Sequence, residues 1–145
     1  MPYSPLLVKP MREELVAAGF EELRTAEAVD RALGAPSGTV LLVVNSVCGC
    51  AAGMARPGVR LALQEGPVPD RLVTVFAGQD VEATAKARAY FPDIPPSSPS
   101  MALFKAGELV WFLPRHRIEG RHALDVATDL RQAFAEFCAV AAGEA

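Results

Sequence analysis

The chain is poor in cysteine, in net charge and in long apolar runs, and each shortage removes a class of protein. Three cysteines in 145 residues are too few, and too odd a number, for a secreted fold stapled by disulfides. A formal charge of −3 leaves no electrostatic footprint for nucleic acid. No stretch reaches the roughly 18 consecutive apolar residues of a membrane-spanning helix. The start, Met1-Pro2-Tyr3-Ser4-Pro5, has no basic segment leading into an apolar one, so no signal peptide is read and a cytoplasmic protein is expected. Internal repeats, low-complexity tracts and long linkers are also missing. What is present is a 51% apolar composition, enough to fill the core of one domain over residues 1–145.

The apolar pattern alternates strands with helices. A first helix is read over 5–18, with Gly19 as its left-handed cap. A second runs from the N-cap Thr25 to about Leu33. Thr39 to Asn45 is continuously apolar up to its last residue, as expected of a strand buried on both faces. A helix follows the cysteines and extends to about Glu65, with Pro57 inside it as a kink. Leu72 to Ala77 reads as a second buried strand, and Asp80 as the N-cap of a helix through Tyr90. Ser100 to Lys105 and Glu108 to Leu113 form a hairpin around Ala106-Gly107. A last helix, about 123–140, aligns Val126, Leu130, Phe134 and Phe137. The order ααβαβαββα predicts an α/β fold with a parallel core closed by an antiparallel hairpin, the architecture of the thioredoxin fold. A central mixed sheet of about four strands, flanked by helices and preceded by extra N-terminal helices, is expected.

The chemistry concentrates at Cys48-Gly49-Cys50, between the first strand and the third helix. A thiolate is the reactive form of cysteine, and a helix N-terminus stabilises negative charge through its unpaired N–H groups and its dipole. That placement lowers the Cys48 pKa below the free value of about 8.5. Side chains two apart on a regular helix point to nearly opposite sides. A Cys48–Cys50 disulfide therefore needs one of them outside helical geometry, which Gly49 permits. The bond closes a tight ring, and an easily reduced, oxidising couple follows. Cys48 can also act alone, taking a small thiol onto itself and awaiting another. Asn45, Ser46 and Val47 link strand to thiol. Ser46 either hydrogen-bonds the thiolate or caps the helix, or else faces water.

Several stretches resemble the bacilliredoxin family of thioredoxin-like proteins. They are Val43-Val44-Asn45-Ser46-Val47-Cys48-Gly49-Cys50-Ala51-Ala52-Gly53, Ala55-Arg56-Pro57, Val75-Phe76-Ala77-Gly78-Gln79-Asp80, Ala83-Thr84-Ala85, Ser97-Ser98-Pro99-Ser100 and Pro114-Arg115-His116. The similarity extends from about Leu7 to Phe137. It implies removal of bacillithiol from protein mixed disulfides, with Cys48 attacking and Cys50 as the resolving or modulating thiol. Bacillithiol is then a co-substrate, no bound cofactor or metal is implied, and the partners are bacillithiolated or disulfide-containing cytosolic proteins. Some members have been considered weak disulfide isomerases or reductases. The resemblance also places Pro99 where thioredoxin-like proteins carry a cis-proline against the cysteines. A cis Ser98–Pro99 bond would leave backbone groups near Ser98 free to pair with an extended substrate segment. Thioredoxins carry an aromatic residue before the first cysteine, where this chain has Val47, and that departure implies a different substrate surface.

The remaining candidates are weaker. Arg56 reads as a solvated helix arginine, or as a partner for the anionic malate portion of bacillithiol. His116 and His122 flank Arg115, Arg117 and Arg121, a basic run that is either a solvated loop or a guide for anionic thiols. Cys138 reads as a packing residue or stray thiol, and Trp111 and Phe112 as parts of the hairpin. A different class is a soft-metal protein using the close cysteines. The scatter of three cysteines and two histidines disfavours it.

Overall fold

A computed structural model of the chain describes residues 3–47, 49–64 and 66–138, and for Cys50 the backbone alone. Its elements are α1 (Pro5–Ala17), β1 (Glu21–Glu22), α2 (Ala26–Leu33), β2 (Thr39–Asn45), α3 (Gly49–Ala62), β3 (Arg71–Phe76), α4 (Val81–Arg88), β4 (Ser100–Lys105), β5 (Glu108–Leu113) and α5 (Ala123–Phe137). A single 3₁₀ turn, Arg115–Arg117, joins β5 to α5.

Local sequence sets most of the boundaries. Ser4 caps α1 by accepting from the Leu6 N–H, and Pro5 opens the helix where its missing N–H costs nothing. The helix closes in a Schellman arrangement. Phe20 N–H donates to Leu15 O and Gly19 N–H to Val16 O, both at 3.0 Å, with Gly19 at φ +104°. The Thr25 hydroxyl accepts from Ala28 N–H at 3.1 Å and starts α2. Asp80 holds the N-cap position of α4, as expected. It makes no side-chain cap, because both its carboxylate oxygens accept from the Arg12 guanidinium at 2.8 and 2.9 Å.

The strands form one five-stranded sheet in the order β1-β3-β2-β4-β5. β1 and β2 each run parallel to β3, whereas β2–β4 and β4–β5 are antiparallel. The fifth strand, absent from the sequence reading, is the two-residue β1. Its glutamates give no apolar signal, and their charges suit a sheet edge. β2 lies at the centre and is buried along its whole length. Its side chains alternate between two cores. Leu41 and Val43 join α1, α3 and α5 through Leu15, Val59 and Leu130. Val40, Leu42 and Val44 join α2 and α4 through Val29, Leu33 and Ala83. The result is a three-layer α/β/α arrangement with β2 at the centre of the sheet and α3 packed on one face beside α1 and α5. α3, α4 and α5 end at Ala62, Arg88 and Phe137, earlier than the apolar pattern extended them. Glu65 and residues 139–145 lie outside the described residues.

Candidate active site

β2 delivers the chain to the carboxyl edge of the sheet and α3 carries it away, so the cysteine motif falls at the turn between them. Cys48 lies outside the described residues. It stands in the chain between Val47 and Gly49, and α3 begins at Gly49. Gly49 has φ +48°, a left-handed conformation that side-chain-bearing residues avoid. A Cβ at that position would meet nothing within 4 Å, so the backbone angle rather than crowding favours glycine. The Gly49 N–H turns back to Val47 O at 2.8 Å. The first turn of α3 carries no carboxylate, the side-chain charge that would offset the positive end of a helix dipole.

Beneath the turn lies a polar network. Asn45 is 2% exposed and Ser46 1% exposed. The Asn45 Oδ1 accepts from the Ser46 N–H at 2.9 Å, and its Nδ2 donates to Met11 O on α1 at 3.1 Å. Asn45 thereby fixes the end of β2 to α1 and holds the first residue of the turn. The burial of Ser46 removes the reading of its hydroxyl as facing water.

Arg56 is likewise corrected. It is 9% exposed rather than solvated. Its Nη1 donates to Asn45 Oδ1 at 3.0 Å and to Ser46 O at 2.9 Å. Its Nε donates to Glu14 Oε1 at 3.0 Å. The other oxygen of Glu14 receives Arg60 at 3.0 Å. A signal for this burial exists in the sequence. Ala52, Ala55 and Val59 are buried, and position 56 falls within that same helical stripe, three before 59 and four after 52.

The Pro99 loop lies beside the turn. Val44 pairs with Ser100 across β2 and β4, and carrying the register one residue on sets Asn45 beside Pro99. The Ser98–Pro99 peptide bond is cis, and Pro99 is buried. The loop is held from two sides. Arg88 Nη2 donates to Ser97 O at 3.3 Å, and Arg115 Nη1 donates to Ser98 O at 3.2 Å. The Ser98 carbonyl therefore already accepts one donor from within the protein. A cavity of about 380 Å³, lined by Ile94, Pro95, Pro96, Ser97, Pro114, Arg115, His116 and Glu119, opens beside the loop.

The basic run after β5 does not act as one cluster. Arg115 turns to the Pro99 loop and to Glu119, and Arg121 pairs with Asp129 on α5. His116 and His122 are exposed. Cys138 packs against the core on the α5 side. Burial raises its thiol pKa, opposed by a hydrogen bond with Thr39. Thr39 begins β2 and the cysteine motif follows its end, so seven residues of strand, about 20 Å, separate Cys138 from the site. Trp111 and Phe112 of β5 are both half-buried, Trp111 packing on one core and Phe112 on the other.

The fold is shared with thioredoxins of known structure. A thioredoxin from Malassezia sympodialis superposes with a TM-score of 0.58 at 14% identity, covering 83% of this chain and 91% of that one. A mutant thioredoxin from Halobacterium salinarum gives 0.56 at 18% identity, covering 82% and 90%. The sequence is matched far more closely. A family model described as Disulphide isomerase matches residues 3–138. A protein named bacilliredoxin from Bacillus cereus is 58% identical over 137 residues, covering 94% of this chain and 95% of the relative. One from Koribacter versatilis is 51% identical over 141 residues, covering 97% of each. The class is thus a thiol–disulfide oxidoreductase on a thioredoxin fold. Within that class, the chain belongs to the bacilliredoxin family.

Proposed function

We propose that the protein removes bacillithiol from protein mixed disulfides, working in the cytoplasm, with Cys48 as the nucleophile. The observation that carries this reading is the start of α3. The chain passes from a buried, network-held turn directly into a helix N-terminus with no acidic first turn, and the Cys48 position immediately precedes it. A thiolate at that position gains from the helix N–H groups and dipole. Ser98 and Pro99 on the adjoining loop form the neighbouring wall, where substrate is received.

The Cys48 thiolate attacks the bacillithiol sulfur of the mixed disulfide. The Cys48–bacillithiol S–S bond forms as the substrate S–S bond breaks, and the substrate protein leaves as its thiolate. Release follows one of two routes. Cys50 attacks the Cys48 sulfur, giving a Cys48–Cys50 disulfide and free bacillithiol. Alternatively an external thiol attacks the bacillithiol sulfur, giving a small-molecule disulfide and restoring Cys48. The family description, Disulphide isomerase, favours a second reading in which protein disulfides are exchanged at the same thiol.

Mass spectrometry of the reduced protein mixed with a bacillithiolated model protein tests the proposal. Transfer of the bacillithiol mass to Cys48, trapped best in Cys50→Ala and lost in Cys48→Ala, is expected. No transfer with thiols intact would turn the reading toward disulfide isomerisation. Equal loss from both substitutions would refute the single-thiol route.

A further inference from the structure

We propose that Arg56 is a positioning residue of the thiol exchange, acting through the Ser46 carbonyl and the Asn45 side chain. The proposal rests on the reading of the Cys48 position as the reactive thiol. A guanidinium at 9% exposure is costly to keep unless its donors are met. Three of its contacts run to different parts of the fold. Glu14 Oε1 belongs to α1, Asn45 Oδ1 to the end of β2, and Ser46 O to the turn itself.

The planar fork of arginine suits this arrangement. One Nη1 bridges Asn45 Oδ1 and Ser46 O at 3.0 and 2.9 Å, while Nε faces Glu14 at 3.0 Å. Lysine has one nitrogen on a flexible stem and cannot span the three acceptors with the same fixed geometry. Ser46 is two residues before Cys48 in the chain, and Asn45 also holds the Ser46 N–H. Arg56 therefore pins both the carbonyl and, through Asn45, the amide of the residue that leads into the motif. α3 carries Arg56 as well as the first-turn N–H groups. The fork thus fixes the distance between the turn and the helix start from which a thiolate draws its stabilisation.

Glu14 supplies an internal control. It receives Arg60 at 3.0 Å as well as Arg56. Arg60 is half exposed and has no contact with Asn45 or Ser46 among the described residues. Removing Arg60 takes the same charge from α3 and the same partner from Glu14 while leaving the turn anchored.

The test is the pH dependence of iodoacetamide alkylation of Cys48, followed on its peptide by mass spectrometry in a Cys50→Ala background. It needs no bacillithiol, so a failed transfer assay and a failed positioning role are told apart. Arg56→Met is expected to raise the midpoint of the profile by about half a pH unit or more, and to slow alkylation at pH 7 about threefold. Arg56→Lys keeps the charge without the fork and should stay shifted. It also carries the test if Arg56→Met does not fold. Arg60→Met should leave the profile in place. A wild-type profile in a folded Arg56→Met protein, or full recovery in Arg56→Lys, would overturn the proposal.

Discussion

Two glycines of α3 should respond to the same substitution with opposite signs. Alanine in place of a mid-helix glycine adds up to about 1 kcal/mol through helix propensity. At Gly53 a new Cβ meets nothing within 4 Å, so Gly53→Ala should keep that gain. At Gly58 the Cβ would lie 2.8 Å from both Cβ and Cγ1 of Val126 on α5, and 3.1 Å from Ala123 O. Carbon atoms pack at about 3.5–4.0 Å, so α3 and α5 must separate by most of an ångström or Val126 must be displaced. Val126 is fully buried and in the core, and overpacking of this kind costs about 1–3 kcal/mol. The cost offsets or exceeds the propensity term, and Gly58→Ala should be destabilising by up to about 2 kcal/mol. Thermal melts read both variants, at about 2–4 °C per kcal/mol for a chain of this size. Val126→Ala should partly rescue Gly58→Ala, giving a coupling of about 1 kcal/mol. A Gly58→Ala protein more stable than wild type would refute the close approach of the two helices.

The Tyr90 hydroxyl donates to Asp30 Oδ1 at 2.6 Å, and that bond raises the phenol pKa to about 12. The folded-state value lies above the unfolded one, so the contribution to stability is complete below about pH 10 and is lost as pH rises toward 12. Absorbance titration at 295 nm (a phenolate wavelength) should show one tyrosine ionising late, and Asp30→Asn should bring it down; an unmoved curve in Asp30→Asn would count against the bond. Arg12 holds Asp80 and Glu22 together at 2.7–2.9 Å and lies 5.1 Å from the Phe76 ring centre. Arg12→Met should cost about 2–4 kcal/mol in a denaturant melt, and a cost below about 0.5 kcal/mol would mean that the pairs are solvated. Cys138→Ser should leave thiol transfer at its wild-type rate, because the residue packs at the opposite end of β2. A slowed transfer in a folded variant would place it nearer the reaction than the strand allows.

The parts of the fold read from sequence are those with short-range causes. β2, β4 and β5 match the apolar runs residue for residue, and the caps follow from the Thr25 hydroxyl and from the positive φ that Gly19 permits. β1 carries no such signal, because two adjacent glutamates at a sheet edge look like a loop. Asp80 stands at the N-cap of α4 as its type suggests, but Arg12, 68 residues away, takes its carboxylate with a stronger charge-assisted bond. The turn after β2 and the loop before β4 are neighbours because the β2–β4 register ends with Val44 opposite Ser100. Asn45 and Ser46 are legible as site residues from their nearness to the cysteines in the chain. The acceptor that Arg115 occupies on Ser98 was not foreseeable, since nothing local links positions 17 apart.

Arg56 shows where the two kinds of information meet. Its type suggests the surface and its spacing suggests the core, and composition favours the first. The structure favours the second because acceptors converge there from α1, β2 and the turn. None of the three is there to serve stability most cheaply, since an apolar residue in the stripe of Ala52, Ala55 and Val59 would bury without desolvating a charge. The charge instead ties the helix of the motif to the strand that delivers it. A buried ion pair at that junction is better explained by the geometry it imposes on the turn than by net binding energy. For that reason the alkylation profile, rather than the melting temperature, decides what Arg56 does.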